Sequence, residues 1–218
     1  MPAKYGPGPW SIFVPLFGIA ATVMVLVWTL KFRGGLAFRS RNQELIFNVH
    51  PVLMVIGFIV SSGHAIVVFK ILPARRKAQK AVHLLLHLVA LLAGVVGVYV
   101  AFKFKRESGL KDMSSLHSWF GMATICLYGL QWLLAFLFFW FPGAAMYTRA
   151  RIVPWHVFAG LVIFLMAICA AELGILEKLT FLERAKAVRI FGEEALLVNF
   201  MGIAILFFAI AVGLCLFL

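Results

Sequence analysis

The chain has 218 residues, of which 64% are hydrophobic and 13% charged, with a formal net charge of +12. A water-soluble fold of that composition has nowhere to hide its apolar surface, which excludes soluble-enzyme classes and predicts one membrane domain with no nucleic-acid partner.

Apolar stretches long enough to cross about 30 Å of hydrocarbon at about 1.5 Å per residue, with no Asp, Glu, Lys or Arg except Glu172, are expected as spans at residues 11–30, 45–69, 81–102, 116–141, 152–176 and 195–218. Short polar links join them, so residues 1–218 read as a single transmembrane domain. The segment before the first span has Pro and Gly but no small-residue cleavage site, which reads as no cleavable signal peptide. Period-two alternation is absent, and lipid satisfies no backbone hydrogen bonds, so all six spans are expected to be α-helices.

The second span carries His50 and His64, the third His83 and His87, the fourth His117, and the fifth His156 together with Glu172. An ionisable group inside a span is a functional candidate by default. If successive spans alternate in direction, His50 and His117 lie toward one face and His83 and His156 toward the other. Two pairs at two depths suit two haems stacked across a bilayer, each iron held by two neutral imidazoles. An iron with both axial positions filled moves electrons and has no open site for a substrate. Zinc wants a compact tetrahedral cluster, and these histidines are spread over two levels. Cys126, Cys169 and Cys215 share no motif, and no CxxCH is present, so both haems are expected to be non-covalent.

Two other arrangements compete. His50 and His64 are fourteen residues apart on one helix, about 21 Å and almost four whole turns, the spacing by which one span serves two haems. No other span repeats it. His83 and His87 are one turn apart, so one ligates and the other, His87, lines the pocket. Gly57, Gly63, Gly94, Gly97, Gly121, Gly129 and Gly160 leave room for a flat cofactor or for close helix packing.

Charge divides the two faces. The face of the N-terminus and of the second and fourth links carries Lys4, Lys70, Arg75, Arg76, Lys77, Lys80, Arg149 and Arg151 and no acid. The opposite face and its membrane edge carry the other basic residues and all the acids. Counting Lys and Arg alone slightly favours this second face as cytoplasmic.

The segments around the histidines resemble the cytochrome b-561 family of ascorbate-dependent transmembrane electron carriers, the plant members above all. In family order they are FNVHP (47–51), AIVVFK (65–70), HLLLH (83–87), SLHSW (115–119), LYGLQW (127–132), FPG (141–143), PWH (154–156), EKLTF (177–181) and LVNF (197–200). The resemblance implies six helices, a central four-helix bundle and two haem b groups, with His83 paired to His156 on the cytosolic side and His50 to His117 on the far side. It also implies a cytosolic acid-free face, against the bare Lys/Arg count, with Lys77, Lys80 and Arg149 around an ascorbate site. A patch without carboxylates attracts an anionic donor, although lipid headgroups attract the same residues.

The expected reaction is electron transfer from cytosolic ascorbate to a far-side acceptor, monodehydroascorbate or a ferric chelate, with Lys105 and Arg106 near it. The alternatives are the haem b subunit of a quinol oxidoreductase and, from another class, a histidine-relay transporter. A homodimer and the identity of the membrane stay open. Phe69 stands where many members have Tyr, Ser114 where they carry Tyr, and Lys105 at a family histidine. Glu172 is expected to pair with a lysine at the membrane edge or to face water.

Overall fold

A computed structural model describes residues 8–218; Lys4 and most of the segment read for a signal peptide lie outside the described residues. Among the described residues six helices are long and apolar enough to cross a membrane. We number them α1 (Pro9–Phe32), α2 (Gln43–Ile71), α3 (Arg76–Glu107), α4 (Leu116–Phe139), α5 (Met146–Arg184) and α6 (Glu193–Phe217). Among the described residues there is no β-strand.

Several helices run past the apolar stretches that predict them. α3 begins at Arg76 and ends at Glu107, and α5 covers Met146–Arg184. Lys, Arg and Glu are good helix formers, and their long stems let the charged ends reach water from the last turns. α2 is irregular for a local reason. Pro51 has no N–H to return to Phe47, and the next turns, Leu53–Val60, widen into a π-helical stretch.

α2, α3, α4 and α5 pack in sequence around a ring that closes through contact between α5 and the π-helical stretch of α2. α6 lies outside the ring against α2 and α5, and α1 lies against α6 and α2. Phe208 of α6 is fully buried there. A Cβ on Gly63 would stand 2.4 Å from its Cζ, so glycine lets α2 and α6 approach. At one membrane edge Glu194 takes the Trp28 indole N–H at 2.9 Å and the Arg33 guanidinium at 2.6 Å, clamping the end of α1 to the start of α6. Asn48 donates to the carbonyls of Arg33 and Gly35, which holds the α1–α2 link.

Candidate functional site

Four histidines converge as two pairs, one toward each end of the ring. His83 in the second turn of α3 and His156 in the third turn of α5 have ring centroids 6.1 Å apart and ring planes 69° apart. His50 near the start of α2 and His117 at the start of α4 have centroids 6.0 Å apart and planes at 85°. Ser115 starts α4 with a reciprocal capping box to Ser118, which fixes His117 in the first turn. A cavity of about 640 Å³ opens between the first pair and one of about 500 Å³ between the second. The first cavity is lined by residues from the starts of α1, α3 and α5 and the ends of α2 and α6, so the helices do alternate in direction.

Each ring is held from behind. The Nδ1–H of His83 donates to the Ala65 carbonyl at 2.8 Å, that of His50 to Gly97 at 3.0 Å, and that of His117 to Ala170 at 2.8 Å. A carbonyl can only accept, so in a neutral ring the lone pair sits on Nε2, the nitrogen a metal needs. His156 differs: its Nδ1 faces the side-chain amide of Gln131 at 2.9 Å.

The supports follow a reciprocal rule. α2 holds the paired histidine of α3 and α3 that of α2, while α4 and α5 hold each other's in the same way. On every one of these helices the histidine and the supporting residue are fourteen or fifteen positions apart, about 21–22 Å along the axis. That spacing sets the two pairs at two depths.

Haem fits this arrangement. With iron about 2 Å from each nitrogen and each ring centre about 1 Å behind it, two axial imidazoles need centroids about 6 Å apart, the separation both pairs have. Zinc does not fit, because among the described residues no three His, Cys, Asp or Glu side chains converge on one point.

The remaining residues singled out by sequence fall in three places. His87 lines the first cavity one turn deeper than His83, its Nδ1 hydrogen-bonded to the Tyr128 hydroxyl. His64 belongs to neither cavity: it sits against Phe208 with Nδ1 on its own helix's Val60 carbonyl. The neighbouring Ser61 and Ser62 hydroxyls turn instead to Ile56 and Phe58. At the rim of the first cavity stand Lys70 and Arg76, the latter 4.6 Å over the Phe69 ring. Lys77, Lys80 and Arg149 are outside its lining, Lys77 exposed and the other two half-buried.

Lys105 lines the second cavity, with Lys111 and Ser114, whereas Arg106 is exposed outside it. Sequence reasoning missed Lys178 and Gly174 here. Lys178 bridges to Glu44 at 2.7 Å with Nζ 4.1 Å over the Phe47 ring, roofing the cavity. Gly174 leaves space for His117, since a Cβ there would lie 2.7 Å from its Cε1. EKLTF carried Lys178 in plain view, but nothing in one sequence brings the end of α5 to the start of α2.

The glycines divide. Gly57, Gly63, Gly94 and Gly97 abut neighbouring helices, whereas Gly121 and Gly160 line the cavities. Among the described residues Glu172 reaches no lysine, and it is half-buried. Its Oε1 is buried without a partner, and Oε2 turns toward Gly202 of α6. The lysine nearest the membrane edge on α5, Lys178, is already taken by Glu44.

Comparison with known proteins identifies relatives of this chain. The family model "Eukaryotic cytochrome b561" matches residues 49–182, which include all four paired histidines. A probable ascorbate-specific transmembrane electron transporter 1 of Oryza sativa subsp. japonica is 48% identical over 205 residues, 94% of this chain and 87% of that one. Transmembrane ascorbate ferrireductase 1 of Arabidopsis thaliana is 46% identical over 190 residues, 87% and 79% of the two chains. A transmembrane ascorbate-dependent reductase of Ovis aries is 38% identical over 217 residues, 97% and 84%. The chain therefore belongs to the eukaryotic cytochrome b561 family.

Proposed function

We propose that this protein carries electrons across a membrane, from ascorbate at the acid-free face to an acceptor at the opposite face. The observation that carries the reading is the pair of imidazole gaps, 6.0 and 6.1 Å, one at each end of a helical ring. Two non-covalent b haems held by His50 with His117 and by His83 with His156 would supply one-electron chemistry. The relatives named for ascorbate-linked transport and reduction support the same donor.

At the donor face the chain has to attract a monoanion. Lys70 and Arg76 stand at the cavity rim, with Lys77, Lys80 and Arg149 further out. No Asp or Glu side chain competes on that face, so its potential draws ascorbate from a distance and is screened by salt. We assign this face to the cytosol. At the opposite face Lys105, Lys111 and Lys178 surround the cavity mouth, suited to an anionic acceptor such as monodehydroascorbate or a ferric chelate. Glu44 and Glu177 dilute that field.

Purified protein is expected to show b-type absorption and about two haems per chain. His83→Ala or His156→Ala should remove one haem, His50→Ala or His117→Ala the other, and His64→Ala neither. A folded chain that binds no haem would overturn the reading, as would loss of a haem in His64→Ala with retention of both in His117→Ala. Proteoliposomes loaded with ascorbate, oriented by protease access and given either acceptor outside, separate the two acceptors.

A further inference from the structure

Three of the four paired histidines rest on a backbone carbonyl, and His156 rests on a side chain. Gln131 occupies on α4 the position that Ala65, Gly97 and Ala170 occupy on their helices, fourteen or fifteen residues beyond that helix's own histidine. Its Nε2 lies 2.9 Å from His156 Nδ1 and also donates to the His156 carbonyl at 2.8 Å. An amide nitrogen is a donor only, so toward it Nδ1 acts as an acceptor and the proton of a neutral ring sits on Nε2. Iron at Nε2 requires the reverse, with the proton on Nδ1. Turning the amide by half a rotation brings Oε1 to that proton but sets the same oxygen against the His156 carbonyl. One amide cannot satisfy both groups at once. There is room to turn, because Gly160 alongside would place even a Cβ 3.5 Å from Nε2.

We infer that Gln131 is a positioning residue for His156, with Oε1 turned to accept from Nδ1–H when iron is bound, and that it holds the His83/His156 haem at a higher potential than a backbone carbonyl would. An acceptor opposed by a neighbouring oxygen withdraws less of the Nδ1 proton, so His156 is a weaker electron donor to iron than the three carbonyl-supported rings. A higher potential at the donor end favours taking the electron from ascorbate. The inference rests on the two-haem reading, and it concerns a residue that touches the ligand, not the iron.

The test is a redox titration of the full-length protein with both haems resolved, together with low-temperature electron paramagnetic resonance of each ferric centre. Gln131→Glu keeps the shape and places a full acceptor at Nδ1. It should shift the donor-end haem about tenfold toward the oxidised form at a given poise, about 59 mV lower for a one-electron couple, and change that haem's g values alone. Gln131→Leu should shift the same haem the other way. If Gln131→Leu loses that haem, Gln131→Glu still decides. Both haems present with unchanged potentials and g values in Gln131→Glu would overturn the inference while leaving the two-haem reading intact. Equal shifts at both haems would also overturn it. A wild-type protein without two haems defeats the underlying reading instead.

Discussion

Gly174 and Glu172 sit two residues apart on α5 and face opposite ways, and each shows what one side chain contributes. With a Cβ at 174 only 2.7 Å from His117 Cε1, Gly174→Val must displace a ring that the Ala170 carbonyl holds. We expect loss of the His50/His117 haem alone, read as a fall from two haems to one, with the donor-end spectrum kept. Gly129→Ala, outside both cavities and 3.7 Å from its nearest neighbour, should retain both. Glu172 is a different case, because its buried Oε1 has no partner. Leaving such an atom unsatisfied costs about 1–3 kcal/mol, so Glu172→Met, of similar length, should raise thermal stability in detergent by about that amount. A lower melting temperature would mean that the carboxyl has a partner in the membrane.

Two elements depend on contacts at their ends. α4 owes the placement of His117 to the Ser115–Ser118 box, and removing such a cap costs about 0.5–2 kcal/mol. Ser115→Ala is expected to fray the first turn and weaken the haem at that end, measured as earlier haem loss on mild denaturation, while the donor-end haem is unaffected. α1 is joined to α6 through Glu194, whose side chain is 10% exposed and that of Arg33 16%. Removing one partner of a buried ion pair costs about 3–5 kcal/mol because the other charge stays buried. Arg33→Met should therefore destabilise the protein strongly, and adding Glu194→Gln should recover much of the loss. Neither helix carries a paired histidine, so the surviving folded fraction should still hold both haems, with any spectral change confined to the His50/His117 end, where Trp28 lines the cavity.

At the scale of the whole molecule both faces present cations to an anionic partner, and the donor face, which has no Asp or Glu, offers two sets of them. Neutralising Lys70 and Arg76 at the rim should slow ascorbate reduction more than neutralising the outer Lys77, Lys80 and Arg149, because field strength falls with distance and exposed charges are screened over about 8 Å at physiological salt. Stopped-flow reduction by ascorbate, with dithionite as the control, measures both; the reverse order would place the donor at the outer set. Six membrane helices, their order and the histidines worth watching were legible from apolar run length and from imidazoles in lipid, since both signals are local along the chain. Alternating direction even sorted the histidines by depth. The mutual support of α2 with α3 and of α4 with α5, the placing of Lys178 over the far cavity and the partnerless seat of Glu172 were not legible. Each depends on which residues of distant helices meet at one height, and that is decided when the helices pack, not by any spacing within a single span.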